Sequence, residues 1–273
     1  MERFEFRQFS ETETEIMEYD FRQAVEVHDL QEIETDFDES AVNSLRQQLA
    51  ETQAFILGEM HGVKENPDVI YTLFKKFGFN NIALEWSERE LGEVLKEFLV
   101  NNNLNFEDIK DSRDGRITAG HFALLKKLKE EDLLGKIILF DQDIDPNIRR
   151  DTSENERDLA MSQNVLSGLG EGNTLIIAGN WHTQVNPVTA SDDTLKHPMG
   201  EHLKSRMPTI PFGNIRYQKG QYHNLGTRDF WTNPDIEPIS KPTFRLSEDG
   251  KYLYTIPEAH SAIVPNMEEV EVG

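Results

Sequence analysis

Short apolar runs of strand length alternate along this chain with longer stretches whose apolar residues recur at helical spacing. The runs are Ala54-Phe55-Ile56-Leu57, Asn81-Ile82-Ala83-Leu84-Glu85, Lys136-Ile137-Ile138-Leu139-Phe140 and Leu175-Ile176-Ile177-Ala178. Strands with so little polar interior are buried on both faces, as in a parallel sheet covered by helices. Val42, Leu45 and Leu49 predict a helix over 40–50. Asn66-Pro67-Asp68 reads as N-cap, N1 proline and first-turn acid of a helix that buries Val69, Ile70, Leu73, Phe74 and Phe77 and stops at Gly78. Ser87-x-x-Glu90 and Ser153-x-x-Glu156 are capping boxes, the first opening a helix with Leu91, Val94, Leu95 and Phe98 inward. Phe122, Leu125 and Leu128 mark a helix between these two. A helix around Met199–Arg206 and strands at 214–218 and 252–256 complete the pattern. The expected fold is α/β, a central mostly parallel sheet with helices on both faces and its site at the carboxyl edge of the strands.

Two regions depart from this regularity. Residues 1–37 mix acidic side chains with isolated aromatics and read as a β-arm, from the alternation of Phe4 and Phe6, or as a partly mobile extension. Residues 221–250, rich in Asn, Pro, Asp and Thr, read as an excursion over the surface. The expected organisation is an acidic extension over 1–40, one α/β domain over 41–265 and an acidic tail over 266–273.

Composition narrows the function. With 37% hydrophobic residues, 273 residues can bury a sizeable core. A formal charge of −22 argues against nucleic acid and anionic membrane surfaces, which are held by clustered Lys and Arg. About half of that charge lies in residues 1–40, where fourteen acidic residues face only Arg3, Arg7 and Arg22. The absence of cysteine excludes disulfides, thiolate nucleophiles and thiolate-held zinc, leaving His and carboxylates as metal ligands. No basic segment followed by an apolar stretch opens the chain, and no apolar run approaches the ~20 residues that span a bilayer. A soluble cytoplasmic protein is expected.

Two of the strands end in the same four-residue shape, Gly58-Glu59-Met60-His61 and Gly179-Asn180-Trp181-His182. Glycine at each exit allows a tight turn, and the carboxyl ends of parallel strands converge on one crevice. With Glu85 and Asp141 at two further exits, the crevice holds what hydrolysis needs. A carboxylate can take a proton from water and a histidine can give one to a leaving group; alternatively, two histidines and a carboxylate hold a divalent metal. Asp141, Asp143 and Asp145 are spaced as in a calcium loop, but Pro146 and Thr152 stand where that loop needs glycine and glutamate. Arg157, Met161 and Asn164 share a helix face, so Arg157 either serves an oxyanion or carboxylate or pairs with Glu154 or Asp158 at the surface. His121, His197, His202, His223 and His260 have no comparable setting and read as structural.

Gly58-Glu59-Met60-His61-Gly62 with Glu65, Glu85 at the next strand end, Arg157-Asp158-x-x-Met161-x-x-Asn164 and Gly179-Asn180-x-His182 occur in that order. This set resembles the superfamily joining erythromycin esterases, ChaN-like haem-binding uptake lipoproteins and Tiki/TraB-type proteins. The resemblance runs from about residue 54 to residue 185 and more weakly through 220–224 and 256–259. It implies a functional centre of His61, Glu85 and His182 with Glu59 and Glu65 nearby; Arg157 is a further catalytic candidate, and Asp141 and Asn180, from their places at strand exits, join Glu59 and Glu65 as candidates around the substrate. In the esterases the glutamate matching Glu85 activates water. In Tiki-type proteases the same elements bind a divalent metal, which here means Mn²⁺, Co²⁺ or Zn²⁺ on His61, His182 and Glu85. The expected activity is hydrolysis of an ester or amide bond in a small-molecule or peptide substrate; the alternative is haem or small-ligand binding without turnover.

Overall fold

The computed structural model describes residues 10–141, 154–190, 194–229 and 238–267. Its elements, in chain order, begin with α1 (Glu11–Val27), β1 (Asp36–Phe37), α2 (Glu39–Thr52), β2 (Ala54–Glu59), α3 (Asn66–Phe77), β3 (Asn81–Ser87) and α4 (Glu88–Asn101). Then come α5 (Ala119–Glu130), β4 (Lys136–Asp141), α6 (Glu154–Gly168), β5 (Thr174–Gly179), a small hairpin of β6 (Val188–Thr189) and β7 (Leu195–Lys196), and α7 (Met199–Arg206). β8 (Phe212–Tyr217), the hairpin of β9 (Gln221–His223) and β10 (Thr227–Asp229), β11 (Thr243–Leu246) and β12 (Tyr252–Ile256) follow. The capping signals act largely as read. Ser87 accepts the amide of Glu90, and Gly78 ends α3 in the left-handed conformation that glycine adopts without strain. The N-cap of α3 is Glu65 rather than Asn66, one residue earlier than the sequence pattern suggests.

Among the described residues, eight strands form one sheet in the order β1-β11-β12-β8-β2-β5-β3-β4. Every neighbouring pair from β12 to β4 is parallel; β11 pairs antiparallel with β12, and β1 joins β11 in parallel. The fold is thus α/β with a mostly parallel sheet. Strand side chains alternate between two cores. Phe55, Leu57, Ile82, Leu84, Leu175 and Ile177 pack with the apolar faces of α1 to α5, while Ile56, Ala83, Phe140 and Ile176 pack with Met161 and Val165 of α6 and Met199 and Leu203 of α7.

Two expectations are corrected. The segment expected as a β-arm or mobile extension contains a four-turn helix, α1, whose capping box joins Ser10 and Glu13. Its Phe21, Ala24 and Val25 are buried, and Phe21 meets Phe122 of α5 edge-on at 6.0 Å. Truncating such an aromatic to alanine typically costs ~3–5 kcal/mol, so α1 belongs to the core in energetic terms. Phe4 and Phe6 lie outside the described residues. The expected surface excursion over 221–250 contributes β11 to the central sheet, with Phe244 fully buried and stacked on Tyr252 at 5.7 Å. Ser153, Asp143 and Asp145 also lie outside the described residues.

Candidate active site

The chain runs from β2 to β3 leaving a gap, goes on to β4 at the edge, and only then returns to fill the gap with β5. This reversal brings three strand exits side by side: Glu59 and His61 from β2, Asn180 and His182 from β5, Glu85 from β3. Asp141 follows at the end of β4, in the region where open α/β sheets bind ligands.

Glu85 is the hub. Its side chain is 4% exposed, with His61 Nε2 at 3.4 Å from Oε2 and His182 Nε2 at 3.6 Å from Oε1. The amide of Gly179 donates to Oε2 at 2.8 Å and Arg157 Nη2 to Oε1 at 2.9 Å. Each histidine has a second carboxylate behind it. His61 Nδ1 lies 3.1 Å from Oε1 of Glu59, and His182 Nδ1 lies 2.8 Å from Oδ1 of Asp158. That Asp158 oxygen also accepts the amide of Met199 at 2.8 Å, which anchors it to the start of α7. Arg157 spans the site: Nε and Nη2 reach the two oxygens of Asp141, both at 2.9 Å, and Nη1 lies 3.1 Å from Nε2 of His182. Arg116 adds a second guanidinium, donating to Asp141 at 2.7 Å and to Asp114 at 2.6 Å.

These contacts set the charges. Burial pushes the His61 imidazolium toward losing its proton, but Glu59 and Glu85 outweigh it and raise its pKa to about 10. Burial pushes the carboxyl of Glu85 up, yet His61, His182 and Arg116 hold it well below the usual range. Glu59 is likewise lowered against burial, by His121 and His61. At neutral pH the site therefore holds a protonated His61 between two carboxylate anions.

The exit glycines serve a purpose other than the expected tight turn. Neither Gly58 nor Gly179 is among the residues with positive φ. A Cβ on Gly179 would lie 2.8 Å from Nε2 of His61, and one on Gly58 would clash with the side chains of Asn214 and Thr183. Close approach, not turn geometry, demands glycine at both.

His61, Glu85, His182, Arg157 and Asp141 thus converge, and Glu59 supports His61. Glu65 is directed elsewhere: it accepts the amide of His260 at 2.9 Å and faces His260 Nδ1 at 2.6 Å, tying the entry of α3 to the C-terminal segment. The side chain of Asn180 bonds to Asn214 rather than to the Glu85 group. Asp158, Arg116 and Asp114 were not read as site residues. Asp158 had a signal in its place beside Arg157, whereas Arg116 and Asp114 lie in a polar loop that carries none.

The donor set does not fit the divalent metal that the resemblance implies. The Arg157 guanidinium, itself a cation, already lies between Glu85 and His182, where a dication would meet like charge. Among the described residues no group of three His, Asp or Glu side chains is arranged to hold a metal ion. Among them, too, no helix is long and apolar enough to cross a membrane.

No protein-family model and no curated protein sequence matches this chain. Solved structures do. A Bacillus cereus protein from structural genomics superposes with a TM-score of 0.57 at 11% identity, over 94% of this chain and 100% of that one. A succinoglycan biosynthesis protein gives 0.53 at 10% identity, over 93% and 100%. A mutant of erythromycin esterase EreC in its open conformation gives 0.52 at 13% identity, over 93% and 98%. The chain therefore has an erythromycin-esterase-like α/β fold.

Proposed function

We propose that this protein hydrolyses an ester or amide bond with a metal-free centre of two histidines around Glu85. The observation that carries this reading is the symmetric one: both histidines turn Nε2 onto a single buried carboxylate, and each has its own carboxylate at Nδ1. Such an arrangement fixes which ring nitrogen carries a proton and which faces substrate.

The two rings then take different parts. Asp158 holds the proton of His182 on Nδ1, leaving the Nε2 lone pair as the acceptor for a proton from water. Arg157 donates to that lone pair in this state; water arriving at Nε2 displaces the guanidinium edge toward the developing oxyanion. His61, protonated across the neutral range, gives its proton to the leaving alkoxide or amine. Glu85 is a poor base, because both its oxygens accept hydrogen bonds and its pKa is lowered; it orients the His61 ring and balances the charge of His61 and Arg157. This differs from the water-activating part that the resemblance assigns to Glu85.

Haem ligation is the weaker reading, since an axial histidine needs a free Nε2 and both of these are engaged. A panel of aliphatic and aryl esters and amides, assayed with and without chelator beside a haem titration, tests the proposal. The expected result is turnover that survives chelation. A Soret band with stoichiometric haem and no turnover of any substrate contradicts it.

A further inference from the structure

His121, which reads as a structural residue in the sequence, stands at the far end of the same array. Both His121 and Glu59 have side chains 2% exposed, and Nε2 of His121 lies 3.8 Å from Oε2 of Glu59. That oxygen has no hydrogen-bond partner. A buried carboxylate oxygen without a donor is costly, and His121 is the group that faces it. The other side of the ring bears on which of its nitrogens carries the proton. Thr118 Oγ1, the N-cap of α5, accepts the amide of His121 at 3.2 Å and lies 2.9 Å from Nδ1 of the same ring. With its hydroxyl proton donated to Nδ1, the ring proton belongs on Nε2, aimed at Glu59. Trp86 packs edge-on against the ring at 6.1 Å and holds it in this plane. Acidic and imidazole side chains then alternate without a break: His121, Glu59, His61, Glu85, His182, Asp158, at successive separations of 3.8, 3.1, 3.4, 3.6 and 2.8 Å.

We propose that His121 is a positioning residue of this centre: with Nε2 facing Glu59 it favours the ionised form of that carboxylate and so keeps the proton on His61 that the leaving group needs. The proposal rests on the hydrolase reading for the use of that proton, but the His121–Glu59 contact itself is independent of any reaction. Glu59 is faced by His61 from its own strand exit, by His121 from α5 and by Tyr217 from β8, and His61 is faced in turn by Glu85 and Asp114. Of the groups around Glu59, His121 is the one aimed at Oε2.

The test is a carboxyl ¹³C and histidine ¹⁵N titration of the whole chain, without substrate, in the native protein, His121→Gln and His121→Phe. Glutamine places an amide donor near the position of Nε2, whereas phenylalanine keeps the ring volume and removes the donor. The expected result is a Glu59 titration moved to higher pH by one unit or more in His121→Phe and restored toward native in His121→Gln. If His121→Phe fails to fold, Thr118→Val removes the hydroxyl that fixes the ring and should shift Glu59 in the same direction. An unchanged Glu59 titration in the folded variants overturns the proposal and leaves His121 a packing residue. Because that readout needs no turnover, failure of the hydrolase reading shows separately, as an ester panel with no active member.

Discussion

His61 and His182 leave neighbouring parallel strands through the same Gly-x-x-His ending and meet opposite oxygens of Glu85 at 3.4 and 3.6 Å. Their surroundings differ. Behind His61 stands Glu59, two residues back on its own strand and almost without solvent contact. Behind His182 stands Asp158, brought by α6 and tied to the first turn of α7. Among the described residues, His61 meets carboxylates on both ring nitrogens, whereas His182 meets Arg157 as well. The two carboxylates raise the pKa of His61, whereas His182 shares its Nε2 with a guanidinium. In the proposed mechanism the same Gly-x-x-His ending thus supplies an acid and a base, because the rest of the fold brings different groups to each ring.

The sharpest way to break this comparison is Asp158→Asn. An amide in that position can hold the wrong nitrogen of His182 protonated, and a loss of ~10⁴-fold in kcat with the fold retained is expected, as for other oriented histidine bases. Steady-state kinetics beside circular dichroism would check it; a change of twofold or less removes His182 from the base role. His61→Gln should come next, at ~10²-fold or more, and the loss should depend on the leaving group. Alkyl esters, which need a proton on departure, should suffer strongly, while nitrophenyl esters should be nearly spared. Equal losses on both would assign His61 to structure rather than to acid catalysis.

Stability against pH gives a further contrast. His61 has its pKa raised from 6.5 to about 10, so its contribution is fully present below about 6.5 and is lost as pH rises through about 10. Glu85 and Glu59 are lowered from 4.5, so theirs is present above about 4.5 and is lost as pH falls through their folded values. Thermal stability should therefore fall at both ends, and His61→Ala should flatten the alkaline limb. A native alkaline limb in that variant contradicts the charge assigned to His61. The smallest effect belongs to Glu65→Gln, which breaks a contact with His260 outside the centre. Rates should be unchanged and stability lower by no more than about 1 kcal/mol.

The strands β2 to β5 and the helices α2 to α7 are legible because their apolar periods, caps and glycine stops agree with one another, whereas nothing in the sequence marks the short hairpin of β6 and β7. β11 is not legible either, since it is only four residues long, has one fully buried side chain in Phe244, and sits among turn-forming residues. The helix α1 carried its signal in the Ser10 and Glu13 box and in Met17, Phe21, Ala24 and Val25, but crowded acidic residues masked it. At the site, strand exits are visible in sequence because they follow apolar runs. The partners that settle each charge are not: Asp158 and His121 lie inside helices and Arg116 in a loop, each brought to the crevice only by tertiary packing. Strand order is of the same kind, for nothing in the run at 174–179 announces that β5 will enter between β2 and β3.

The central claim, that Glu85 organises a metal-free hydrolytic pair, is met most directly by Glu85→Gln assayed in chelator on the best ester of the panel. Removing this buried charge leaves His61 and Arg157 without their shared anion and should cost about 3 kcal/mol, so rates are compared below the variant's own melting transition. The account predicts native turnover undiminished by chelator and a variant slower by ~10²–10⁴-fold. A variant as fast as the native protein, or native activity that disappears with chelator and returns with added metal, would contradict it.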